Sequence, residues 1–186
     1  METGQERDRR SVRAERRVVT ATRTVQGSTA ALFAVLADPR RHVDFDGSQT
    51  LRGDPLGPVR LHLGAEFTMS MQQSRWTYRS TSTVVEFVEG RLITWVSAGV
   101  WRGHRLVGGQ RWAWRLDQSG VGTIVRHSYI WGYARLPIMT VWLPGYPRRA
   151  QAVLPRSIEL LEIAARDTCP RGTGSLPSEQ VRDQEQ

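Results

Sequence analysis

Apolar positions in this chain follow a strand period, then a helical one, then return to the first. From Val18 to Val25 they fall in a run rich in β-branched residues that reads as a strand. Ser28 is then an N-cap, because its hydroxyl can accept from an otherwise unpaired first-turn amide. Leu32, Val35 and Leu36 recur at helical spacing, with Phe33 adding a second apolar edge. Asp38-Pro39 ends this helix and starts another, with Asp38 as cap and Pro39 at the first helical position. Asp46-Gly47 turns the chain into the next strand, which is under way by Gly53.

Strands follow almost without interruption. Ala65 to Met71 alternates, with Phe67, Met69 and Met71 on one face. Thr77 to Val88 is a long run of Thr, Ser and Val, and Glu89-Gly90 turns it into Leu92 to Ala98. Gln110 to Asp117 has the clearest period of two, with Trp112, Trp114 and Leu116 on one face and Arg111, Ala113, Arg115 and Asp117 on the other. Thr123 to Tyr133 alternates Val125, His127, Tyr129 and Trp131. The pattern predicts an antiparallel sheet with one wet face. From Arg148 to Arg166 the spacing becomes helical again, with Ala150, Val153, Leu154, Ile158, Leu161 and Ala165 in one stripe. Pro155 interrupts that stripe and predicts a kink, or a main helix beginning near it. The fold class is α+β: strand, two short helices, curved antiparallel sheet, long closing helix.

The segments Ala37-Asp38-Pro39-Arg40-Arg41-His42, Asp46-Gly47-Ser48, Val84-Val85-Glu86-Phe87 followed by Trp95, and Arg111-Trp112-Ala113-Trp114 stand in that order. Together with the element order they resemble the START-like, or SRPBCC, helix-grip superfamily, and within it the polyketide cyclase/dehydrase and lipid-transport branch of actinobacterial type. The resemblance spans residues 18–166. It implies a sheet wrapped around the closing helix with an apolar cavity between them. Members of the family bind lipids, polyketides, hormones or quinones, and some catalyse aldol cyclisation and dehydration. Pro155 departs from the uninterrupted closing helix usual there.

Composition narrows the picture. Residues 1–17 and 167–186 are polar and lack aromatics, so they are expected to be disordered tails around one domain at 18–166. A domain of that size buries roughly 70% of its unfolded surface and needs no staples. The single cysteine, Cys169, excludes an internal disulfide. No stretch of 18 apolar residues and no apolar N-terminal run is present, so a cytoplasmic protein is expected. The net charge of +8 comes from 26 arginines and no lysine, which reads as codon bias in a GC-rich genome. Those arginines are dispersed, 18 against ten acids in residues 18–166, whereas a phosphate-binding face gathers its charge. No nucleic-acid partner is expected.

Seven tryptophans are the main chemical resource. Trp95, Trp112, Trp114 and Trp131 fall on inferred inner faces, where they either fill the core or line a cavity with a few polar handles. His127 shares their face and could orient a carbonyl or move a proton; a satisfied core histidine is the plainer reading. Tyr129 is treated the same way, and His127 and Tyr129 are the only catalytic candidates named. Met69, Trp95, Trp112, Trp114, His127, Tyr129 and Trp131 are the expected ligand-binding residues. Arg75-Trp76 is placed at a hairpin and Trp101-Arg102-Gly103-His104 in a loop, both at a cavity mouth. His42-x-Asp44-x-Asp46 has metal-ligand residue types, but no further ligand is placed to complete a shell, so no metal is expected. Nucleotide loops, zincin motifs and nucleophile elbows are missing, so no cofactor is expected. Leu136 to Pro147 is strongly apolar, framed by prolines and too short to span a bilayer. It suits a lid, a membrane-touching patch, a dimer contact or a packed linker.

The expected function is binding of an apolar or aromatic small molecule, lipid, polyketide or quinone-like, between sheet and closing helix. The enzyme alternative is a polyketide cyclase or aromatase acting on a poly-β-ketone, which the resemblance permits without a decisive acid–base pair. The third class is a protein-interaction module using Leu136 to Pro147. Oligomeric state is not legible.

Overall fold

A computed structural model of the chain describes residues 17–73, 75–101, 104–134 and 145–168. β1 (Val18–Val25) leads into α1 (Thr29–Ala37) and a 3-10 helix (Pro39–Phe45). Strands β2 (Leu51–Leu56), β3 (Glu66–Gln73), β4 (Trp76–Val88), β5 (Leu92–Trp101), β6 (His104–Ser119) and β7 (Gly122–Ile130) follow, and α2 (Tyr146–Thr168) closes the chain. The expected caps do their work. Ser28 Oγ accepts from the Ala31 amide, and Asp38 accepts from the Arg40 amide at the start of the 3-10 helix.

The strands form one antiparallel sheet in the order β1-β7-β6-β5-β4-β3-β2. Pro55 sits in β2, at the sheet edge, where a missing amide hydrogen costs no ladder bond. Register slips between Val84 and Glu86 and again between Ser97 and Val100 bend the strands around α2. The second irregularity needs glycine on its partner strand: Gly109 has φ +93°, and a Cβ there would lie 2.4 Å from the Tyr133 carbonyl oxygen. β5 runs through Trp101 and β6 begins at His104, so these two residues of the expected loop before the Trp-rich strand are strand, and Arg102 and Gly103 lie outside the described residues. β7 stops at Ile130, short of the expected Tyr133.

α2 lies in the grip of this sheet. Ala150, Leu154, Ile158, Leu161, Ala164 and Ala165 are buried; the last four meet Phe33, Leu36, Trp114 and Val125 in the main core, and Ala150 and Leu154 pack with Tyr129 and Ala134 in a smaller one. The helix runs through Pro155 without a break in assignment. Gln151, whose carbonyl loses its partner, and Pro155 are both exposed, so water can replace the missing bond. Gln26 donates its backbone amide to Glu162 at 2.9 Å, tying the end of β1 to the helix.

The turn after the 3-10 helix touches α2 most closely. Gly47 donates its amide to Ser157 Oγ at 3.1 Å, and a Cβ on Gly47 would fall 2.6 Å from the Val153 carbonyl oxygen. Gly47→Ala must push the turn and helix apart, an overpacking cost of about 1–3 kcal/mol. Thermal unfolding is expected to show it as a drop of roughly 3–10 °C; an unchanged midpoint would mean that the contact has slack.

Described residues end before most of Leu136 to Pro147, leaving only Gly145, Tyr146 and Pro147, and the expected tails at 1–17 and 167–186 fall almost wholly outside them as well. Among the described residues no helix is long and apolar enough to cross a membrane.

Candidate functional site

Between the concave face of the sheet and α2 lies a cavity of about 800 Å³. Its orientation follows from β4, whose inward side chains are Trp76, Tyr78, Ser80, Ser82 and Val84. Exposure along this column falls from 72% at Trp76 and 36% at Tyr78 to 5% at Ser82 and 1% at Val84. The mouth therefore lies at the β3–β4 hairpin and the first turn of α2, and the floor at the middle of the sheet.

Cross-strand registers stack the wall in rows. The floor row is Ile93, Trp114, His127 and Ala21, side by side on β5, β6, β7 and β1. Above it stand Trp95, Trp112 and Tyr129, and above these Phe67, Ser82, Ser97 and Gln110. Rings within and between the lower rows are in contact: Trp114 stacks on His127 at 3.6 Å between centroids, and Trp112 lies 4.6 Å from Tyr129. On the facing side, His42 stacks on Trp95 at 5.1 Å and meets Phe67 edge-on at 5.2 Å. The wall is thus aromatic low down and carries hydroxyl and amide groups one level up, where Ser82 and Ser97 share a 2.9 Å hydrogen bond.

The two buried histidines are neutral. Burial pushes His127 down to about 3, against a weaker opposing pull from the Leu154 backbone. By hydrogen-bond geometry, neither ring nitrogen of His127 nor the Trp114 indole nitrogen has a partner among the described residues. Burial likewise lowers His42 to about 4, while the Leu36 carbonyl, which accepts from Nε2 at 3.0 Å, works in the other direction. Tyr129 is pushed up by burial and by Tyr146, and burial, Tyr146 and the Asp46 carboxylate raise Tyr78. No side chain in the floor rows is charged. Asp46, further out, is spent internally: Oδ1 accepts from the Ser48 amide and hydroxyl, and Oδ2 from the amides of Thr50 and Leu51. Asp44 pairs with Arg41. Among the described residues no group of three or more His, Cys, Asp or Glu side chains gathers.

Six of the seven expected ligand-binding residues, Met69, Trp95, Trp112, Trp114, His127 and Tyr129, line this cavity. Trp131 does not. It lies one residue past the end of β7, half-buried, with the Arg17 guanidinium 5.1 Å from its ring centroid. His127 and Tyr129, the two catalytic candidates, are both on the wall, and among the described residues neither His127 nitrogen has a hydrogen-bond partner. Lining residues not anticipated from the sequence include His42, Ser80, Ser82, Ser97, Gln110, Ser157, Tyr146 and Arg149. Ser80 and Ser82 were readable in principle, since they share parity with Tyr78 and Val84 on β4. Thr and Ser on both faces of β4 hid which face was inward. Trp76 opens β4 and pairs with Gln73, next to the β3–β4 hairpin.

No family model matches the chain. The uncharacterized protein Rv0088 of Mycobacterium tuberculosis is 38% identical over 93 residues, a match that spans 50% of this chain and 38% of that protein. Protein NE0264 from Nitrosomonas europaea has a similar structure, with a TM-score of 0.61 at 15% identity over 81% of this chain and 95% of that one. The di-domain ARO/CYC StfQ from the steffimycin biosynthetic pathway also gives 0.61 at 15% identity, over 85% of this chain and 54% of its own. These likenesses show the fold, and the fold is the helix grip.

Proposed function

We propose that this protein binds an oxygen-bearing, multi-ring or chain-like apolar molecule in the cavity between its sheet and α2. The observation that carries the reading is the cavity itself: about 800 Å³, within the range of small-molecule sites, with aromatic walls and a few polar groups. Apolar burial would supply most of the affinity, at roughly 25 cal/mol per Å² before ordering costs. Ser80, Ser82, Ser97 and Gln110 offer hydrogen bonds without charge, which favours carbonyl and hydroxyl groups over ions at that depth. The unpartnered nitrogens of His127 and Trp114 strengthen the point, since a small ring adjustment would let a ligand oxygen satisfy them.

The likeness to an ARO/CYC supports a second reading, in which a bound poly-β-ketone is cyclised. A neutral His127 would then polarise a carbonyl by donating a hydrogen bond, and it is a poor proton acceptor near neutral pH. Binding without turnover is the reading that these side chains favour.

Tryptophan fluorescence titrated with 1,8-dihydroxyanthraquinone tests it. Quenching with a micromolar dissociation constant is expected, and anthracene, of the same shape without oxygens, should bind at least tenfold more weakly. Ser97→Trp should fill the middle of the cavity and weaken binding by tenfold or more while the protein stays folded. Equal quenching in wild type and Ser97→Trp would place the dye elsewhere and end the proposal.

A further inference from the structure

The charged groups around the cavity lie away from its neutral floor. Two lining residues carry formal charges, and they differ in what they do with them. Asp46 accepts four hydrogen bonds from its own turn. Arg149, on the first turn of α2, forms no ion pair among the described residues and is not otherwise engaged by an acid. Its guanidinium lies 5.8 Å from the centroid of the Tyr146 ring, and both residues line the cavity at its mouth. Tyr78 faces the same opening from β4. Tyr78 and Tyr146 thus bring two phenol hydroxyls to the lining beside Arg149.

A guanidinium free of acids beside donating hydroxyls is chemistry for an anionic oxygen group. Arg149 thus offers a cation at the mouth, and the aromatic floor offers none.

We propose that the natural ligand is an amphiphile with a carboxylate, held at the mouth by Arg149 with Tyr78 and Tyr146, and with its ring or chain body pointing inward. This rests on the cavity-binding reading above and adds an orientation and a charge to it. The apolar body then meets Trp95, Trp112 and Trp114, and its inner oxygens meet the serine row. A carboxylate at the floor would have no cation to meet, so the opposite orientation is disfavoured.

The test compares anthraquinone-2-carboxylate with its methyl ester, at pH 7.5 and 50 mM salt, by tryptophan quenching. In wild type the acid should bind at least tenfold tighter than the ester. In Arg149→Gln that ratio should fall below two, and in Arg149→Lys, which keeps the charge but loses the fork, it should lie between. Raising salt to 500 mM should shrink the wild-type ratio, since an exposed pair is screened. Ester and acid binding equally well to wild type would overturn the carboxylate subsite and leave the cavity reading intact. So would a tenfold ratio that survives in Arg149→Gln, because the anion would then be held elsewhere. Binding of neither probe would overturn the cavity reading, and this inference with it.

Discussion

Lowering the pH from 7.5 to 5 is expected to cost this fold about 4 kcal/mol, from two protons that only the unfolded chain can take up. His42 and His127 are both buried and held down, to about 4 and about 3, chiefly by burial. In the unfolded chain each titrates near the ordinary value of 6.5. Above that value both states are neutral, and the histidines make no pH-dependent contribution. Between 6.5 and 4 the unfolded state binds protons and the native state does not, so stability falls as pH falls, by about 1.4 kcal/mol per pH unit for each ring. Asp38 and Glu159 do not confuse the window, because neighbouring arginines hold both carboxyls below the usual range. Urea unfolding at pH 7.5, 6 and 5 gives the slope directly. His127→Phe, which keeps a ring against Trp114, should halve it. A flat profile between pH 7.5 and 5, or an undiminished slope in the variant, would mean that the rings gain water or a partner when charged. Because a domain's net stability is typically only about 5–15 kcal/mol, such a loss takes much of the margin.

The same neutrality explains why the site was only half legible in the sequence. Strand alternation placed Trp95, Trp112, Trp114, His127 and Tyr129 on inner faces, and all five line the cavity. Alternation is a local rule, and it works wherever a regular strand has one wet face. It failed at Trp131 because the strand had already ended, and no hydrophobic pattern marks the last ladder bond. It also could not find His42 or Arg149. His42 lies on a short 3-10 helix and is carried to the cavity by the capping of Asp38, while Arg149 owes its position to where α2 begins. Such placements depend on how distant elements dock, which the periodicity of one segment does not encode. The fold was more legible, since capping residues, turn residues and period changes agreed on one order of elements. Of the two outcomes expected at Pro155, a helix beginning there is excluded, because the helix starts at Tyr146. The proline's cost is real in isolation, but on an exposed helix face the orphaned carbonyl can turn to water, and tertiary burial of Leu154 and Ile158 holds the helix together.

Trp114→Ala is expected to destabilise the protein by about 3–5 kcal/mol, the range for removing a large buried aromatic side chain. Trp114 is 1% exposed, stacked on His127 and met edge-on by Phe45 at 5.5 Å. Trp112, its neighbour on the same face, is only half-buried and leans on Tyr129. Trp112→Ala should therefore cost less, about 1–2 kcal/mol, and should weaken 1,8-dihydroxyanthraquinone binding more than its stability loss suggests. The contrast answers the question that the tryptophan content raises, whether these rings fill a core or face a ligand. If Trp114 is structural and Trp112 is wall, urea unfolding and dye titration will rank the two variants in opposite orders. A shared order, with Trp114→Ala worse in both or Trp112→Ala worse in both, would mean that the floor and the wall are one packed unit. In that case the cavity's shape would follow from core stability rather than from a separate set of ligand-facing rings.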